Sequence, residues 1–291
     1  MFGVIPKSNA TLSGQNREKL RRTIESDPRR SRPSLDDIQK DTVGWKISFK
    51  FSETLVGSFC AVTGIVPSRV FLSPKRTPVV ELKTKAEHQA AVRWIELLGP
   101  HVAIRDCLDA SFALDFNKVD GYSKNLYTRA GVLVRRGKVY HGIASQPNFD
   151  AAAELARRCC DFIGALDAYR TVDAVMAVLG SRRFRFFKLQ REIARLVAEE
   201  LKLVDLSTAT KLTRHRKPAK QVAMPDKIDN IDASMRVDST TIQNKKILLI
   251  DDLYQSGVTM NYQGLVLKQL GAAKVFGLAC VKTCGDRDNA L

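Results

Sequence analysis

The strongest constraint in this chain is an apolar run that does not alternate. Ile247, Leu248, Leu249 and Ile250 follow one another without a polar interruption and give way to Asp251 and Asp252. A strand with one wet face alternates apolar and polar residues, whereas a strand covered on both faces need not. The run therefore predicts an inner strand of a parallel sheet. Beyond the carboxylates come Gln255, Ser256, Gly257, Val258 and Thr259, a short loop and the start of a helical pattern. Open α/β sheets bind ligands outside the carboxyl ends of their strands, which is where this loop would sit.

Each residue type in the loop suits a phosphorylated sugar. A helix start offers unpaired backbone N–H groups and the positive end of the helix dipole. Gly257 allows the backbone to turn and approach a phosphate closely. Ser256 and Thr259 add hydroxyl donors, and Asp251 and Asp252 can accept hydrogen bonds from a ribose diol. The glycine–lysine spacing of a Walker loop is absent. The plainer alternative is an ordinary strand–turn–helix with an acidic turn.

The segment Lys246–Thr259 resembles the phosphoribosyl pyrophosphate (PRPP) signature of type I phosphoribosyltransferases, an apolar strand, two acidic residues and then a hydroxyl–glycine–x–threonine turn. The resemblance implies a fold in which Asp251 and Asp252 orient ribose and Gln255 to Thr259 hold the 5-phosphate. Mg²⁺ would be held mainly by the substrate PRPP rather than by a protein cage.

At 291 residues the chain can bury a substantial core, with 44% apolar and 27% charged residues, as in a soluble globular protein. It has no apolar run of the ~20 residues needed to span a membrane and no signal-peptide core, so a cytoplasmic location is expected. The six cysteines form no Cys-x-x-Cys and are expected to be reduced and mostly buried. A net charge of +16 suits an anionic partner, either a phosphorylated small molecule or nucleic acid.

Three regions are expected along the chain. Residues 1–43 look like a loosely ordered basic arm, with Arg17, Lys19, Arg21, Arg22, Arg29, Arg30 and Arg32 and a short helix near Asn16–Ile24. It is either a contact for nucleic acid or a partner, or simply solvated. Residues 44–120 read as a small α+β region of unknown role, in which Trp94 belongs to the core and His88 and His101 are structural or on the surface. Residues 121–291 alternate strand and helix, which predicts an α/β fold with a mainly parallel sheet flanked by helices. Within them, 126–140 reads as strand or helix, Asn148 or Asp150 as the cap of the next helix, 172–179 as a buried strand and 208–238 as polar and without period.

From about Gly121 to Thr283 the order of parts is similar to the competence-factor ComF-like branch of the family. On that resemblance the loop Gly180-Ser181-Arg182 would receive pyrophosphate. Residues 212–238 would form a mobile lid, whose Arg214, Arg216 and Lys217 neutralise charge as pyrophosphate leaves. The alternatives are a solvated helix start at Arg182, Arg183, Arg185 and Lys188, and a basic loop that touches solvent or nucleic acid. Two departures stand out: the ComF-like zinc ribbon is missing, and Gln255 occupies the position where enzymes acting on 6-oxopurines place an aspartate base. Glutamine cannot take that proton. The sequence therefore supports an enzyme that transfers phosphoribose from Mg–PRPP to a nitrogen acceptor. Its alternative is a non-catalytic PRPP or nucleotide sensor that contacts nucleic acid or a partner protein. The family resemblance also implies a homodimer.

Overall fold

The computed structural model describes residues 9–25, 30–41, 44–49, 53–74, 77–119, 126–139, 143–180, 187–217, 221–223 and 226–285. Seven strands form its main sheet, in the spatial order Val204–Asp205, Ala174–Ala177, Lys246–Tyr254, Lys274–Lys282, Ala110–Phe116, Val102–Ile104 and Arg30–Ser31. The strands from Val204–Asp205 to Ala110–Phe116 run parallel, and the last two continue the sheet antiparallel. The expected α/β fold with a mainly parallel sheet is present.

The strand Lys246–Tyr254, here called the signature strand, lies inside this sheet. Ile247 to Ile250 align with Ala174 to Ala177 on one side and with Val275 to Leu278 on the other. All four side chains are fully buried. Leu248 and Ile250 join the apolar cluster that includes Val134, Leu155 and Ile193, from the helices Arg129–Gly137, Gln146–Ala165 and Leu189–Leu201. Ile247 and Leu249 join the opposite cluster, with Leu265 and Val266 of the signature helix Val258–Gln269 and Leu20 and Ile24 of the helix Gly14–Glu25. With both faces covered, nothing favours a polar residue in the run. Each such side chain contributes about 1.5–3 kcal/mol.

The strand continues past the apolar run through Asp251, Asp252 and Leu253 to Tyr254, so the acidic pair lies within the sheet rather than in the loop. Backbone pairing with Ala279, Val281 and Lys282 extends it. Two other local expectations are refined. Residues Arg129–Gly137 are helical, and the helix Gln146–Ala165 is capped by Ser145, whose N–H donates to Asn148 Oδ1 at 2.8 Å.

The expected boundaries meet a continuous sheet. Strands on both sides of residue 120 pair directly, Ala110–Phe116 with Lys274–Lys282, so a division there cuts through shared hydrogen bonds. A separate four-stranded antiparallel sheet, in the order Ile38–Asp41, Gly44–Ser48, Pro78–Leu82 and Phe71–Leu72, takes three strands from the region 44–120 and its edge strand from the arm before it. Its core holds Trp94, edge-on to Phe49 and Phe59, with its indole N–H donating to Ser58 Oγ at 3.2 Å. His101 is bonded at Nδ1 to the Leu114 carbonyl, 3.0 Å away, and His88 lies 4.4 Å from the Trp45 ring.

The described part of the basic arm is anchored rather than loose. Arg17 pairs with Asp229 and Asp232, and Arg32 pairs with Asp115 beneath the Phe116 ring. Strand Asn9–Ala10 joins Met235–Val237 and Thr210–Leu212 in a three-stranded antiparallel sheet. That small sheet and the helix Lys227–Ile231 form a cap beside the signature helix. The six cysteines carry no disulfide. No helix among the described residues is long and apolar enough to cross a membrane.

Candidate functional site

The strand connections locate a crevice without reference to any side chain. From Ala174–Ala177 the chain passes through the helix Leu189–Leu201 to Val204–Asp205, one step outward. From the adjacent signature strand it passes through the signature helix to Lys274–Lys282, one step the other way. The two helices pack on opposite faces. Neighbouring parallel strands whose connections diverge make a topological switch point, and the crevice at their carboxyl ends is where such sheets bind ligands. Gly180 follows one of these strands, and the loop Gln255–Gly257 follows the other.

The glycine loop is held from below. Gly257 has φ of +72° and precedes the first residue of the signature helix, Val258. A Cβ at this position would lie 2.1 Å from the Tyr254 ring, so both the turn and the close approach require glycine. Tyr254 is buried and donates its hydroxyl to Asp106 Oδ2 at 3.1 Å. Asn261, one turn into the helix, donates Nδ2 to the Tyr254 hydroxyl and to the Gly257 carbonyl, each at 2.9 Å. Its Oδ1 accepts from the Cys107 N–H at 2.7 Å. This network fixes the turn before any ligand arrives. Ser256 and Val258 are buried, and Gln255 and Thr259 are half-buried.

The acidic pair is electrostatically crowded. Burial first, and then repulsion from Asp252, push the Asp251 carboxyl well above the usual carboxylate range, with Lys138 acting against both. Asp251 Oδ1 accepts the Asp252 N–H at 2.9 Å. Lys138, just past the end of the helix Arg129–Gly137, places Nζ 3.1 Å from Asp252 Oδ2. The pair is only partly exposed to solvent, 26% for Lys138 and 17% for Asp252.

Arg216 ties the switch point together. Its Nη2 donates to the Leu179 carbonyl at 2.8 Å, next to Gly180, and its Nη1 reaches Thr259 Oγ1 at 3.4 Å. One guanidinium thus spans both loops of the crevice. Burial and the neighbouring Arg214 lower its pKa to about 10, while Asp251 and Tyr262 act in the opposite direction. Gln263, fully buried in the signature helix, makes a second tie: it accepts the Leu179 N–H at 3.0 Å and donates to the Ala177 carbonyl at 3.3 Å.

The structure brings Gly180, Arg216 and Thr259 together at the end of the signature strand that carries Asp251 and Asp252. Arg214 is occupied otherwise, because its Nη2 donates to the carbonyls of Asn230 and Asp232 and so pins the cap. Lys217 contributes its carbonyl to Asn230 Nδ2 at 2.9 Å. Ser181 and Arg182 lie outside the described residues, as do Arg183 and Arg185. Sequence reasoning missed Tyr254, Asn261 and Gln263 and gave Lys138 no role at the site. For Asn261 and Gln263 a signal existed: two amides flank a tyrosine in the first half of a helix that is buried almost throughout. A buried helix with polar residues implies hydrogen-bond partners.

Comparison with protein-family models finds no match, and comparison with curated proteins finds none either. Among solved structures the chain is similar to a glutamic acid mutant made to analyse an invariant aspartic acid in HPRTs. The identity is 13% and the TM-score 0.28, over 48% of this chain and 69% of that one. It is also similar to HGPRT-ase from Leishmania tarentolae in complex with GMP, with 17% identity and a TM-score of 0.28, over 52% of this chain and 76% of that one. Both neighbours are phosphoribosyltransferases. At these TM-scores the fold rests on the strand order and register described above.

Proposed function

We propose that the crevice binds a 5-phosphoribosyl compound, PRPP with Mg²⁺, and passes phosphoribose to a nitrogen acceptor. The observation that carries this reading is Arg216, a buried cation joining the Leu179–Gly180 loop to Thr259 of the glycine loop. An anion is the natural occupant where a guanidinium meets a helix start at a switch point. The signature loop would take the 5-phosphate through the N–H groups and hydroxyls of residues 256–259. Asp251 and Asp252 would accept the ribose hydroxyls. Gly180 and Arg216 would face the pyrophosphate, with Ser181 and Arg182 expected beside them.

The donor set suits the metal. Carboxylate oxygens are the hard ligands Mg²⁺ accepts, and the repulsion between Asp251 and Asp252 is what a nearby cation relieves. Either carboxylate would hold the ion directly or through water, and the bound ion would neutralise pyrophosphate charge. The protein's own residues do the rest. Breaking the bond from C1 to the pyrophosphate oxygen sends the electron pair to pyrophosphate and leaves a cationic sugar. The acceptor nitrogen then bonds to C1 and loses its proton to water. Arg216 stabilises the charge on the departing group, and Asp251 and Asp252 keep the ribose aligned. No side chain here is assigned as a strong base for the acceptor.

A sensor that binds PRPP or a nucleotide without turnover is the second reading. Two observations favour it: Gln255 stands where the resemblance places a base, and Arg214 is committed to the cap. Contact with nucleic acid or a partner protein belongs to this reading, as does the finer ComF-like resemblance. A pyrophosphate-release screen with PRPP, Mg²⁺ and a panel of nucleobases separates the two. An enzyme releases pyrophosphate with one acceptor and stops on Asp251→Asn plus Asp252→Asn. A sensor binds PRPP with no release, and absence of PRPP and nucleotide affinity rejects both readings.

A further inference from the structure

A second concavity lies on the cap and shares no lining residue with the crevice. It encloses about 190 Å³ between Leu206, Thr208, Ala209, Lys211, Arg236 and Thr241. The strands Thr210–Leu212 and Met235–Val237 run through it, and their register sets Lys211 directly opposite Arg236. Thr210, Leu212, Met235 and Val237 are buried, so the alternation of a strand turns both cations to the outer face. Side chains opposite one another in an antiparallel pair start about 5 Å apart, and like charges there destabilise the pair. Among the described residues neither cation has a carboxylate partner. Asp238 borders the same space, but its Oδ1 accepts the Thr240 N–H at 3.2 Å and the Thr240 hydroxyl at 2.7 Å. Two cations side by side around a concave floor concentrate positive potential there and favour an anion.

We propose that this concavity is a second anion site, which takes a small phosphate monoester between Lys211 and Arg236. The inference is independent of the phosphoribose reading, because none of these residues belongs to the crevice.

Size and lining set the class of ligand. The space falls below the ~300 Å³ at which pockets begin to hold drug-sized molecules, so it suits a phosphate on a short carbon chain and not a nucleotide. A phosphate dianion brings three acceptor oxygens, which a guanidinium fork, an ammonium and the Thr208 hydroxyl can meet together. Buried Leu206 and half-buried Ala209 give the carbon chain an apolar floor. Single-stranded nucleic acid is the poorer match, since it is held by stacking on aromatic side chains, and the described lining has none. An anion here would bridge two cap strands and the Ser239–Thr241 turn that leads towards the signature strand. It would also remove the repulsion between them and so steady the cap.

The test is calorimetric titration of the full chain with glycerol 3-phosphate in Mg²⁺-free buffer. It is repeated on Lys211→Gln plus Arg236→Gln, and on Arg157→Gln plus Arg195→Gln, which removes the same charge from exposed helix positions. Hydrogen exchange with and without the ligand locates the binding. Affinity should fall about tenfold or more in the first variant, as for lost charge-assisted hydrogen bonds, and hold in the second. The ligand should slow exchange across residues 206–212 and 234–242. If the first variant does not fold, the exchange map of the unaltered chain decides. Equal loss in both variants reduces the effect to net charge and overturns the site. Protection confined to residues 178–180 and 255–259 overturns it as well, by placing the phosphate in the crevice, and leaves the phosphoribose reading standing. A single-stranded oligonucleotide that binds far more tightly than glycerol 3-phosphate, with steep salt dependence that Lys211→Gln plus Arg236→Gln abolishes, overturns the small ligand in favour of nucleic acid. No affinity for glycerol 3-phosphate or inorganic phosphate overturns the proposal outright.

Discussion

The main sheet and the cap border the same crevice and share an apolar cluster, but they differ in how much of their attachment is polar. In the sheet, Ile247 to Ile250 are sealed on both faces by apolar clusters. The cap adds polar contacts to its apolar ones: Ile228, Ile231, Met235 and Val237 join the cluster around the signature helix, while Arg17 pairs with Asp229 and Asp232, Tyr262 with Asp232, Arg214 with backbone carbonyls and Arg216 with the Leu179 carbonyl. Apolar burial is cooperative and slow to open, whereas half-exposed ion pairs contribute little each. The contacts that the cap adds are the weaker ones, which makes the cap the side of the crevice expected to open first.

The widest contrast comes from the sheet side. Leu249→Ala removes a fully buried side chain between Met176 and Gly277. It should cost about 2–5 kcal/mol of global stability by urea unfolding. A cost near zero would mean that the sheet does not dominate. Next is Gly257→Ala, at the junction of the two regions. A left-handed backbone and a methyl 2.1 Å from the Tyr254 ring both oppose it, at about 1–3 kcal/mol. Ribose 5-phosphate affinity should fall by more than the stability loss alone explains; unchanged affinity would detach the loop from the site.

Asp251→Asn sharpens the comparison in the opposite direction. The folded-state pKa of Asp251 is raised. Its contribution is therefore fully present below the ordinary carboxylate range and fades as pH rises through the raised value. The amide should be more stable than the acid at neutral and alkaline pH, with a flatter pH dependence of melting, while affinity for the sugar falls by about tenfold, as expected for one lost charge-assisted hydrogen bond. The smallest global effect belongs to Arg17→Ala, at under about 1 kcal/mol, because its partners are partly solvated. Amide exchange should nonetheless accelerate across residues 226–237 and not along the signature strand. Uniform acceleration would show that cap and sheet open together.

Much of the sheet side was legible in the sequence because its forces are periodic or local. Non-alternation marked the inner strand, and the glycine and hydroxyls marked the turn. The cap was opaque for the opposite reason. Strands of two or three residues, Asn9–Ala10, Thr210–Leu212 and Met235–Val237, carry too few side chains to show a period. Their pairing joins segments far apart in the chain. The basic arm misled for a related reason, because the partners of Arg17 and Arg32, Asp229, Asp232 and Asp115, are distant in sequence. The pairing of Lys138 with Asp252 was hidden on the same ground, because nothing local says that the two meet.

The Ala10 carbonyl accepts the Tyr262 hydroxyl, and the Ser13 N–H donates to Gln269, so the earliest described residues grip the signature helix along its length. That helix points its first turn into the crevice. A pull on the Ala10–Ser13 segment would be passed through these hydrogen bonds to the helix whose start is the proposed seat of the phosphate, which gives the molecule a lever arm away from where its chemistry would occur.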